Sequence, residues 1–115
     1  MPIFTSDFLP TIPFRNSHFS TMYRPLFMKD VATYTRKRIT TWDQDFFDLD
    51  FSFTGSETLV LLIHGLEGSS DSKYMAANTN HLNSKGLDTV CFNLRGCSGE
   101  DNLQLATYHS GKTED

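Results

Sequence analysis

The chain has 115 residues, a formal charge of -4 and 38% hydrophobic residues, which is the length of one domain or part of one. That composition excludes a disordered chain, and the acidic balance gives no electrostatic ground for binding nucleic acid. The longest unbroken apolar run, Leu59–Ile63, is far short of the about 20 residues a membrane-spanning helix needs.

Residues 1–33 read as an irregular amino-terminal arm. All four prolines (Pro2, Pro10, Pro13, Pro25) lie there, as do Phe4, Phe8, Phe14, Phe19 and Phe27. Such proline spacing discourages a long helix or a central strand. It leaves room for a short helix around His18–Tyr23. The phenylalanines call for burial, so the arm is expected to pack on the body of the domain. No apolar signal region is present in the arm. Cys91 and Cys97 form no C-x-x-C pair, and two cysteines without a signal suit a reducing, cytoplasmic setting.

Residues 34–115 read as an incomplete α/β domain. Over 34–53 the pattern is a β-hairpin. Phe47, Leu49, Phe51 and Phe53 alternate with Asp48, Asp50 and Ser52, the period of a strand with one buried face. Trp42-Asp43-Gln44-Asp45 supplies turn residues. The basic run Arg36-Lys37-Arg38 suits a guarded edge strand. Thr58–Ile63 is the pattern of a parallel strand covered on both faces. A helix is expected over 72–84, with Met75, Thr79 and Leu82 at helical spacing, a cap from Ser70, Asp71 or Ser72, and Gly86 closing it. A second buried strand, 88–93, completes a βαβ unit. Residues 101–115 are polar. Two parallel strands and one helix cannot cover both sheet faces, so the chain reads as the first part of a larger α/β domain.

Glycine-rich turns follow both parallel strands, where open α/β sheets place their sites. Three readings of His64–Asp71 compete. A phosphate loop is the weakest, because Gly65 and Gly68 give neither the dinucleotide nor the P-loop spacing. An oxyanion turn fits a strand running through His-Gly into a helix, since glycine admits a reacting carbonyl and the helix start adds positive potential. A plain tight turn with His64 as a core histidine fits the pattern equally well.

Four segments resemble the YheT-type branch of the α/β-hydrolases, in that family's order. They are Arg15–Thr21, His64–Ser70, Asn93–Glu100 and Tyr108–Asp115. The resemblance implies a serine carboxylic-ester hydrolase with a Ser-Asp-His triad, acting on small-molecule or lipid esters without metal or cofactor. It also implies that nucleophile, acid and base lie downstream of this chain, so no catalytic triad residue is expected here. What this chain is expected to supply is the oxyanion turn: the Leu66 N–H, access through Gly65, and a second donor from Glu67. His64 and His109 are expected to shape the site. Two other readings stand beside this one, a non-catalytic truncated paralogue serving as a binding or regulatory module, and a phosphate-binding module. Isolated, the chain is expected to be inactive and to self-associate through uncovered apolar surface.

Overall fold

The computed structural model describes residues 7–109 and residue 111. The first six residues of the arm, Ser110, and Lys112–Asp115 of the last resembling segment lie outside the described residues.

The arm carries the helix expected around His18–Tyr23, but a longer one. It holds an eleven-residue helix, α1 (Ser17–Phe27), capped by Asn16, whose side chain accepts from the Phe19 N–H at 3.1 Å. Phe19, Tyr23 and Phe27 recur every fourth residue, and their rings pack on one another, with Phe14 edge-on to Phe19 and Tyr23. This aromatic ladder favours a helix more strongly than the proline count opposes it. The rings find each other rather than the body: Phe8, Leu9, Ile12, Met22, Leu26 and Phe27 are all exposed, and α1 only touches the second helix.

The hairpin forms as the alternation predicts. β1 (Thr35–Thr40) and β2 (Phe46–Ser52) pair antiparallel, with Ile39 opposite Phe47. Gln44, at φ 63°, turns the chain between them. β3 (Leu59–Ile63) and β4 (Asp88–Asn93) are parallel and are joined through α2 (Lys73–Ser84). β4 also pairs antiparallel with β2, which merges hairpin and βαβ unit into one mixed sheet of order β1-β2-β4-β3. Leu87 N–H bonds to Leu82 O and Gly86 N–H to Asn83 O, with Gly86 at φ 73°. That is the paired closure by which a left-handed glycine ends a helix.

The buried face of β2 is the opposite of the one the alternation suggests. Asp48 and Asp50 are fully buried, whereas Phe47, Leu49 and Phe51 are half-buried. The reason is a set of partners that the strand's own sequence does not contain. Arg36 Nη2 meets Asp50 at 2.7 Å and Arg38 Nε meets Asp48 at 2.9 Å, both from the neighbouring strand. β1 is indeed an edge strand, yet two of its three basic residues are ion-paired rather than standing as an edge guard. α2 covers this same face, with Thr79 against Cys91. The other face carries Leu59, Leu61 and Ile63, all more than half exposed, beside Phe92 and Phe47, whose rings lie 4.6 Å apart. It is apolar, and no helix among the described residues covers it.

Candidate functional site

β3 runs into His64, which is buried at 5% exposure. Its Nε2 accepts the Leu94 N–H at 3.1 Å, and its Nδ1 lies 2.7 Å from Gly65 O. An accepting Nε2 places the ring proton on Nδ1, where it donates to that carbonyl. Both nitrogens are thereby committed. His64 braces the turn after β3 against the turn after β4, as the core-histidine reading expects.

The turn itself is closed by Gly68 N–H on Gly65 O at 3.0 Å, with Glu67 left-handed at φ 50°. Two tyrosines pin it from outside. Tyr74 Oη, on the first turn of α2, accepts the Gly65 N–H at 2.7 Å. Tyr108 Oη accepts the Glu67 N–H at 2.5 Å. Gly68 is required by close approach: a Cβ there would stand 2.9 Å from Tyr74 Oη and 3.1 Å from Gly65 O.

The next amides are engaged as well. Ser69 N–H donates to Ser72 Oγ, Ser70 N–H to Asn93 Oδ1 and Asp71 N–H to Ser69 Oγ. From Gly65 to Asp71, only the Leu66 N–H has no partner among the described residues. A phosphate cradle needs several converging free amides. A single free donor does not make one.

An open cavity of about 870 Å³ lies against this turn, a size that suits a small organic ligand. Leu61, Ile63, Phe92 and Leu94 make its apolar wall, and Leu66, Tyr108 and His109 also line it. His109 is exposed, and its Nδ1 accepts the Gly111 N–H at 3.2 Å. Ser69, Ser70 and Ser98 do not line the cavity. Ser70 and Ser98 are instead buried in the polar layer on the α2 side of the sheet.

That layer fixes the loops that carry the site. Asp45, fully buried, accepts from the N–H of Leu103 at 2.8 Å, the Asn102 side chain at 2.9 Å and the N–H of Gln104 at 3.3 Å. Burial opposes its ionisation, but these donors together prevail and hold its pKa at about 2. Arg95, also fully buried, reaches Asp43 at 2.6 Å and Asp45 at 3.3 Å. Its guanidinium holds the Asp43 carboxyl far below the usual range. Asn102 further donates to the carbonyls of Gln104 and Ala106, and Thr107 Oγ1 donates to Arg95 O. Tyr108 is delivered to the cavity by this stiffened stretch. On the other side Asp50 collects Arg36, Ser70 and Asn93, and Arg36 also donates to Ser98 O at 2.8 Å. Arg38 joins Asp48 to Glu100. The Arg38 pairing lowers the Asp48 pKa. Asp50 is lowered too, against its burial, by Arg36, Ser70 and Asn93.

Of the expected site residues, His64, Gly65, Leu66 and Glu67 are contiguous around one turn, and His109 shares the cavity with them. Leu66 presents its donor. The donor expected from Glu67 is occupied by Tyr108. The two tyrosines that hold the turn were not singled out by sequence reasoning. Tyr108 stands directly before His109 in a segment that carried the resemblance, while Tyr74 lies in no recognisable pattern.

No family model matches the chain, and no solved structure matches it. Curated relatives do. The chain is 36% identical over 116 residues to the candidate esterase YheT of Escherichia coli (strain K12), covering 96% of this chain and 34% of that protein. It is 32% identical over 124 residues to phospholipase ABHD3 of Bos taurus, covering 99% of this chain and 30% of the relative. An abhydrolase domain-containing protein of Dictyostelium discoideum is 28% identical over 116 residues, covering 94% and 29%. The chain thus spans about a third of the length of the curated relatives it matches. The matched stretch takes in the hairpin, the parallel βαβ unit and the turn after β3, and these homologues support an amino-terminal fragment of a YheT-type α/β-hydrolase.

Proposed function

We propose that this chain supplies the oxyanion turn of a serine hydrolase that cleaves carboxylic esters, with the Ser-Asp-His triad carried on residues other than these 115. The observation behind the reading is the Leu66 N–H, free of partners, beside an apolar cavity at the end of β3. An ester whose carbonyl oxygen meets Leu66 N–H has room for its acyl part along Leu61, Ile63 and Phe92. As the nucleophile adds, charge grows on that oxygen and the donor bond strengthens. Removing one such donor typically lowers kcat by about 100- to 1,000-fold. Gly65 has no side chain to obstruct the approach, and the nearby amino-terminus of α2 adds positive potential. The apolar wall favours an acyl chain over a charged group, which agrees with the names of relatives read as an esterase and a phospholipase. Cys91 and Cys97 are free thiols, which supports a reducing, cytoplasmic setting. Among the described residues no helix is long and apolar enough to cross a membrane.

The isolated chain is proposed to be inactive and to self-associate through the uncovered face bearing Leu59, Leu61 and Ile63. Activity-based labelling tests the reading. The full-length protein that carries this segment should react with a fluorophosphonate at one serine and hydrolyse short p-nitrophenyl esters. The 115-residue chain should do neither above a blank. Stoichiometric labelling of a serine in the short chain, or no labelling of the full-length protein, would refute it.

A further inference from the structure

We infer that Tyr108 is a catalytic residue of this site, its hydroxyl acting as an additional, side-chain hydrogen-bond donor to the reacting carbonyl oxygen beside the Leu66 N–H. The inference rests on the ester-hydrolase reading above and adds a side-chain donor to it.

The starting point is the direction of one bond. Tyr108 Oη lies 2.5 Å from the Glu67 nitrogen. A backbone N–H can only donate, so the phenol oxygen accepts and its own hydrogen remains to be given elsewhere. The contact removes the Glu67 N–H from the cavity but returns an O–H in its place. An acceptor bond on the phenol oxygen also polarises its O–H and makes it a better donor.

Among the described residues no acceptor takes that hydrogen; the one hydrogen bond of Tyr108 is the one it accepts from the Glu67 N–H. A hydrogen bond to an ionised oxygen is roughly twice as strong as a neutral one, so a developing oxyanion wins the phenol hydrogen. The hydrogen is shared and no proton leaves the phenol, so the step needs no co-reactant.

Placement agrees with the role. Tyr108 and Leu66 line the same cavity, and Tyr108 grips the amide next along from Leu66. Its ring stands edge-on to His64 at 6.2 Å, and His64 is itself locked between two backbone groups. Behind it, Asp45 and Asn102 hold residues 102–106, and Thr107 bonds to Arg95 O. The hydroxyl is therefore fixed before substrate arrives, which is what makes such a donor effective.

The test uses the full-length protein that carries this segment. Tyr108→Phe keeps the ring and removes the O–H. We expect kcat on a p-nitrophenyl ester to fall about 100-fold with KM little changed, the signature of an interaction made only in the transition state. An unchanged kcat overturns the inference and leaves the hydrolase reading standing. A wild-type protein that neither turns over the ester nor labels with a fluorophosphonate overturns both. Trifluorotyrosine at position 108 covers the case in which the phenylalanine variant does not fold. It has nearly the shape of tyrosine but a more acidic phenol, and only the protonated phenol can donate. The pH–rate profile should then fall on the alkaline side where the tyrosine enzyme's does not. The nearby titratable groups, His64, Glu67, Cys97 and His109, are the same in both enzymes, so the difference belongs to the phenol. Superimposable profiles overturn the inference.

Discussion

The carboxylate of Asp50, 1% exposed on β2, accepts a hydrogen bond from Ser70 Oγ at 2.5 Å, twenty residues along the chain. The same oxygen also receives Asn93 Nδ2 at 2.8 Å and Arg36 Nη2 at 2.7 Å. β1, β2, β4 and the approach to α2 thus converge on one buried acid. Removing it takes an acceptor from Arg36, Ser70 and Asn93 at once.

Asp50→Ala should therefore destabilise the chain by about 1 to 3 kcal/mol, the cost of leaving the buried Ser70 and Asn93 donors short of an acceptor, while the half-exposed Arg36 is resolvated. Chemical denaturation of the purified chain measures this. A loss within about 0.5 kcal/mol, the scatter of ordinary surface substitutions, would mean that the network contributes little.

Acid should weaken the same layer. Asp45 has a folded pKa of about 2, below the about 3.9 of a free aspartate, and those of Asp48 and Asp50 are lowered too. A depressed pKa means that the folded state binds protons less readily than the unfolded one. Its stabilisation is complete above the unfolded pKa and is lost as pH falls through the folded value. The melting temperature should hold from neutrality to about pH 5 and then drop steadily toward about pH 2. In Asp45→Asn the drop should be shallower, from a lower starting point. Equal slopes for the two proteins would show that Asp45 is not part of the acid response.

Gly68→Ala tests the packing of the turn after β3. The new Cβ meets Tyr74 Oη, Gly65 O and the His64 Cβ at 2.9–3.1 Å. Two of these are main-chain or near-main-chain atoms with little room to yield. We expect a loss of about 1 to 3 kcal/mol, the usual cost of overpacking, with amide chemical-shift changes at Gly65 and Glu67. Wild-type stability and an unshifted Gly65 amide would contradict the tight contact.

The uncovered sheet face makes a prediction about association. Leu61 and Ile63 are 56% and 61% exposed on edge strand β3. Leu61→Lys with Ile63→Thr should reduce hydrophobic-dye fluorescence and shift light scattering toward the monomer mass. The melting temperature should move little, because neither side chain is buried. Unchanged association would place the sticky surface elsewhere, with the exposed apolar residues of the arm as the next candidate.

Periodicity alone determined much of this architecture. Alternation over 47–53, the unbroken apolar run at 59–63 and the short apolar run inside 88–93 located three strands, and helical spacing after the His-Gly turn located α2. These features are local, written in the residues that form them. The turn between Gly65 and Gly68 was equally legible, because glycine at a left-handed or crowded position leaves a mark in sequence. The buried face of β2 was not legible. Its aspartates are inside only because Arg36, Arg38, Ser70 and Asn93 arrive from other segments, and no window along β2 contains those partners. The aromatic ladder that makes α1 a helix likewise overrode its proline. The donors of the site divide the same way. Leu66 is reached through the resemblance of its turn to a family loop, since pattern alone leaves that turn open, but the engagement of Glu67 by Tyr108 joins residues 41 positions apart. A hydrogen bond across that distance exists only once Asp45 and Arg95 have folded the connecting loop, and so only the tertiary structure could decide it.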